Sequence, residues 1–141
     1  MNARVNINRS DVWSSPGYPM NQAVVEPEGR RVHLTGQVAW DEDFNVLHPG
    51  DAGAQTKTAF ENISKVLETV GGTLDDLVTI TTYFVRDEDR EAITQARSAV
   101  LNKEHGPATT GIRVAQIWDK DLLVEVTATA VIPHDRFKEP R

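Results

Sequence analysis

The chain has 141 residues, 39% hydrophobic and 26% charged, which fits one globular domain and leaves no room for a second. Its formal net charge of -6 and scattered Lys and Arg, with Arg30-Arg31 the longest basic cluster, argue against binding a phosphate backbone. With no cysteine, disulfides, thiolate metal sites and cysteine nucleophiles are all excluded.

The N-terminus lacks an apolar signal core, and no apolar run approaches the ~20 residues of a membrane span, so a cytoplasmic protein with no membrane partner is expected. Residues 1–20 carry Pro16, Gly17 and Pro19 and read as an extended arm, with at most a short strand near Val5 to Ile7. Gln22–Val25 and Val32–Val38 are β-prone runs, and Glu26-Pro27-Glu28-Gly29 between them suits a hairpin turn. Trp40 to Gly50 reads as a loop.

From Asp51 the period changes. Ala59, Phe60, Ile63, Val66, Leu67 and Val70 recur at steps of three and four, which predicts a helix capped by Asp51 and stopped by Gly71-Gly72. Val78–Val85 is a β-branched and aromatic strand, and Asp87–His105 a second helix with Ala92, Ile93, Ala96, Ala99 and Val100 on its stripe. Acidic residues suit its first turn, and Gly106-Pro107 ends it. Two strands follow, Thr109–Ile117 and Leu122–Ile132, joined by a turn at Trp118–Asp121; residues 134–141 form a short charged tail. The order β-β-α-β-α-β-β predicts an α+β domain with two helices on one face of a sheet.

Alternation divides the late strands into two columns. Val78, Ile80, Phe84, Ile112, Val114, Leu122, Val124, Val126, Ala128, Ala130 and Ile132 form an apolar column suited to carry the helices. Thr79, Thr81, Tyr83, Thr109, Gly111, Arg113, Ala115, Glu125, Thr127 and Thr129 form a semi-polar one. Such a face fits a subunit contact or a pocket lining, or a threonine-rich strand surface open to water. Glu125 stands alone among β-formers. Desolvated, it would carry a raised pKa and serve as a general base; otherwise it is a surface or salt-bridged glutamate.

His33, His48, His105 and His134 never fall at metal-ligand spacing, and no glycine-loop nucleotide motif or nucleophile elbow occurs. Neither a metal nor a cofactor is expected. Trp13, Trp40 and Trp118 sit in connecting segments, where they suit packing or a subunit contact.

Several strings, in order, resemble the Rid (YjgF) family of reactive intermediate deaminases, also called endoribonuclease L-PSP. They are Thr35-Gly36-Gln37, the helix with Asp51, Gln55, Asn62 and Gly71, the run Val78 to Asp87, and Pro107-Ala108 before the closing strands. The resemblance covers about Gln22 to Val131. It implies a chorismate-mutase-like α+β fold, a homotrimer with clefts between subunits, and cofactor-independent hydrolysis of enamines or imines, releasing ammonia. It places the water-positioning glutamate on Glu125, a small hydroxyl and glycine pair on Thr35-Gly36, a polar helix residue on Gln95 and a pocket-lining position on Gly111. An N-terminal pocket aromatic falls on Met20, with Tyr18 beside it as substitute.

The family's carboxylate-binding arginine falls on Thr109. Threonine cannot make that bidentate bond, a loss on the order of 1.5–3 kcal/mol that puts standard amino-acid imine deamination in question. Arg113, four residues along the same column and roughly 13 Å away, is the candidate to compensate, or else forms a surface or interface salt bridge. The resulting readings are a hydrolase of a small imine-like metabolite using Glu125, and a trimer that binds a small metabolite without chemistry. Ribonuclease activity, sometimes attached to the family, conflicts with the acidic charge.

Overall fold

The computed structural model describes residues 2–141. Eight regular elements follow in order: β1 (Val5–Ile7), β2 (Ala23–Val25), β3 (Arg30–Gln37), α1 (Ala52–Glu68), β4 (Leu77–Phe84), α2 (Arg90–Val100), β5 (Ala108–Arg113) and β6 (Val124–Ile132). One-turn 3-10 helices precede β4 and α2. The main sheet has the order β3-β6-β4-β5, with β6 antiparallel to both neighbours and β4 parallel to β5.

Helix α1 starts and stops where its chemistry directs. The Asp51 carboxylate accepts the Ala54 N–H (3.0 Å), satisfying one of the amides a helix start leaves without a partner. At the other end Gly71 adopts φ 82° and the Gly72 N–H reaches back to the Leu67 carbonyl (2.9 Å), a left-handed termination. Phe60, Ile63 and Leu67 are fully buried against Val124, Val126 and Ala130 of β6, while Val66, placed on the apolar face by periodicity, is largely exposed.

Helix α2 is shorter than its pattern. Its first residues, Asp87–Asp89, form a 3-10 turn held by Arg86, whose guanidinium bonds both Asp89 oxygens (2.8 Å each). Beyond Leu101 the chain bends to hold the N-terminal arm: Asn21 donates to the Lys103 and Gly106 carbonyls, and Lys103 donates to that of Met20.

Two expected pairings are corrected. β2 does not form a hairpin with β3 but pairs with β1, while β3 pairs with β6 and forms the edge of the main sheet. β5 and β6 are not neighbours either: β5 lies parallel to β4, and residues 114–123 cross to the far side of β4. The parallel pair needs a crossover, which α2 supplies. Ile117 and Leu122, read as strand residues, leave the ladder and pack with Val38 in a second apolar cluster.

The columns change with the register. Ile112 pairs with Tyr83, and Tyr83 with Glu125, whereas Thr109, Gly111 and Arg113 pair with Ile80, Thr82 and Phe84. The assignment of β5 is therefore inverted: Ile112, at 42% exposure, shares the open face with Glu125, and Thr109, Gly111 and Arg113 share the helix-bearing face. An edge strand buried on neither side carries no strong alternation to fix its face from sequence.

Gln55 ties α1 to the start of β6. It is fully buried, donates to the His48 and Asp121 carbonyls and accepts the Leu123 N–H (2.8 Å). Gln55→Ala strands these groups and is expected to lower stability by about 3 kcal/mol in urea unfolding. A loss below about 1 kcal/mol would show that water replaces the amide without cost.

Candidate functional site

Between Leu34↔Ala128 and Gln37↔Val126 two residues of β3, Thr35 and Gly36, oppose Thr127 alone. This is a β-bulge, a device that re-aims side chains and recurs beside active sites. The Glu125 carboxylate folds over Gly36: a Cβ added there would lie 3.0 Å from Glu125 Cδ and closer still to Oε2. Only glycine leaves that space. Thr35, Gly36 and Glu125, expected to share a site, are thus brought together, and Glu125 has no ion pair among the described residues.

Val38, Trp40, Phe44, Trp118 and Asp119 complete an open hollow of about 680 Å³ around this group. Trp118 is 85% exposed and Phe44 72%. Phe44 adopts φ 63°, a left-handed backbone uncommon for a bulky residue, and meets Trp40 edge-on at 5.3 Å. Asp41 holds that turn by accepting the Asp43 and Asn45 N–H groups (2.8 and 2.9 Å) and the Asn45 side-chain amide (3.0 Å).

The other expected residues lie across the sheet. Gly111 opens onto a cleft of about 270 Å³ between β4 and α2, lined by Thr82, Phe84, Arg90, Ile93, Thr94 and Arg97. Tyr18 reaches the same region, its ring 5.6 Å from the Arg97 guanidinium carbon. Thr109 spends its hydroxyl on the Pro107 carbonyl (2.9 Å), and Arg113 donates to the Val85 carbonyl (2.8 Å) from an exposed position. Gln95 is exposed on α2, bonded to Glu91 and outside both hollows. Sequence reasoning passed over Arg90 and Arg97. Their signal is the spacing Arg90, Ile93, Arg97, which puts two cations on the stripe of a buried isoleucine.

Residues 14–132 match the family model described as Endoribonuclease L-PSP. The chain belongs to this family. It is 31% identical over 112 residues to a RutC family protein of Pyrococcus abyssi, covering 79% of this chain and 85% of that one. Its fold matches a Yersinia pestis protein of the conserved Rid family, YyfB (TM-score 0.80, 30% identity, 92% of this chain and 99% of that one). It also matches RidA of an Antarctic Psychrobacter (TM-score 0.66, 26% identity, 91% and 99%). The Rid fold thus accounts for the α+β architecture of this chain. Among the described residues no helix is long and apolar enough to cross a membrane.

The Asp41 carboxyl is held below its ordinary value of 3.8 by the Asn45 main-chain N–H first and the Asn45 side chain second. A depressed folded-state pKa stabilises above the unfolded value and loses that contribution as pH falls through the folded one. The Phe44 turn is therefore expected to hold at neutral pH and to loosen below 3.8, read by faster Asn45 amide exchange. Asp41→Ala is expected to show that fast exchange at neutral pH; unchanged protection would mean the turn is held by other contacts.

Proposed function

We propose that this Rid protein is a cofactor-independent hydrolase of the enamine/imine deaminase type, acting on a small metabolite in clefts between the subunits of a homotrimer. The observation that carries this reading is the seating of Glu125 over Gly36 on a β3 bulge, with no ion-pair partner among the described residues, at the floor of an open hollow. A carboxylate so placed can orient a water and take its proton as the oxygen bonds to the C=N carbon. That proton passes to nitrogen to give a carbinolamine; the carboxylate then takes the hydroxyl proton and delivers it to nitrogen as the C–N bond breaks, so that ammonia leaves, the carbon becomes a carbonyl and Glu125 ends ionised. Thr35 offers a hydroxyl beside it.

The between-subunit cleft is supported by the sheet itself. Glu125 and Gly111 occupy opposite faces in one protomer, so they meet only if one subunit's open face borders another's helix-bearing edge. The open face is unusually apolar at Ile112, and Trp13 and Trp118 stand largely exposed on connecting segments. Exposed aromatic and aliphatic groups of this kind mark subunit contacts.

One observation favours a second reading, a trimer that binds a metabolite without chemistry. Thr109 stands where the resemblance places an arginine, and its hydroxyl is already bonded to Pro107.

Ammonia release from small enamine and imine substrates is expected to fall by a factor on the order of 100 or more in Glu125→Gln, and comparably in Gly36→Ala, where the added methyl displaces the carboxylate. Unchanged turnover in Glu125→Gln would falsify the mechanism, and ligand-dependent thermal stabilisation without product favours the binding reading. Light scattering at micromolar concentration is expected to give three times the chain mass; a stable monomer removes the cleft.

A further inference from the structure

In a chain with 21 acidic and 15 basic residues, the cleft under α2 is lined by two arginines and no carboxylate. Of the arginines elsewhere, all but the exposed Arg141 are occupied. Arg9, Arg30, Arg31, Arg86 and Arg136 pair with carboxylates, and Arg4 and Arg113 donate to main-chain carbonyls. Among the described residues, Arg90 and Arg97 have no ion pair.

Arg97 is held rather than loose. One terminal nitrogen donates to Thr82 Oγ1 (3.0 Å), and the Tyr18 ring lies against the guanidinium at 5.6 Å. Its Nε is buried without a partner, as is the Tyr18 hydroxyl. The Nε–Nη2 edge, whose fork matches the two oxygens of a carboxylate, is thus left without an acceptor. Gly111 faces the same space, and a Cβ there would meet nothing within 4 Å. An unpaired buried donor is costly, and an anion reached by a small turn of the guanidinium relieves it.

We propose that this cleft is an anion subsite in which Arg97, with Arg90 at its mouth, binds the carboxylate of a small organic acid. The inference deepens the proposed function and rests on it for the ligand being a substrate. Arg97 then supplies from α2 the cation that Thr109 lacks on β5. Phe84 and Ile93 offer the acid's carbon skeleton an apolar wall.

The test is titration calorimetry of the full-length protein with acetate and benzoate, against acetamide and benzamide of the same shapes. The carboxylates are expected to bind, and their amides to bind at least about tenfold more weakly. Arg97→Met, of similar length but uncharged, is expected to weaken the carboxylates at least about tenfold and leave the amides unchanged. Arg97→Lys keeps the charge without the fork and falls between, with unchanged circular dichroism showing that it folds. Arg90→Ala gives a smaller, salt-dependent loss.

Carboxylate affinity that survives in both Arg97 variants, amides that bind as well as acids, or inorganic phosphate bound in preference to either acid overturns the subsite. So does the absence of binding at millimolar concentration. Carboxylate binding that survives Arg97→Met while turnover dies in Glu125→Gln overturns the subsite alone. Binding lost in Arg97→Met with turnover intact in Glu125→Gln overturns the reaction alone.

Discussion

Strand β6 lies between β3 and β4, and every other feature takes its position from that insertion. From Val124 to Ile132 the side chains alternate between a buried row against α1 and a half-buried row on the open face, until both rows are buried at the end. The buried row excludes water over most of the helix-bearing face, and burial of this kind is the dominant favourable term in folding. A slip of one residue would turn Glu125 inward and Val126 outward. The core therefore fixes the direction of the glutamate as firmly as it fixes the valine.

The insertion also explains why the candidate site comes in two parts. β6 meets β3 at the Thr35-Gly36 bulge, which gives the Glu125 carboxylate a floor without a side chain. On its other side β4 passes the register to β5, so that Gly111 faces Arg97 of α2 on the reverse of the sheet. A single protomer keeps an unpaired carboxylate and an unpaired guanidinium apart across its own sheet. Their separation avoids mutual neutralisation within the subunit, since at contact the two would form an ion pair unavailable to a ligand.

Much of this was legible in the chain. The α1 periodicity, its Asp51 cap and its Gly71 stop are local effects, written in residues within a few positions of one another. The alternation of β6 was legible because one face is buried, and the grouping of Thr35, Gly36 and Glu125 followed from the resemblance. The face of β5 was not legible. Both sides of that edge strand are partly open, so Thr109 to Arg113 give no apolar alternation to read, and Ile112 points away from the core. Arg90 and Arg97 were passed over because a cation near an apolar stripe ordinarily snorkels to solvent, and only the position of β4 shows Arg97 bonded to Thr82 instead.

By itself the sequence determined α1 and the core of most strands, the absence of thiol chemistry and the family, and it singled out Glu125 as the candidate carboxylate, all of which depend on residue type and short-range spacing. Only the tertiary structure decided which strands are neighbours, which way β5 faces and which arginine stands in a cleft. Those depend on hydrogen-bond pairing between segments distant in the chain: β3 pairs with β6, and β5 with β4. Thr109, the position that most sharply separates this chain from the pattern it resembles, thereby proves to be a strand residue satisfied by its own neighbour, with an arginine free of any ion pair among the described residues on α2, bonded to the adjacent strand β4.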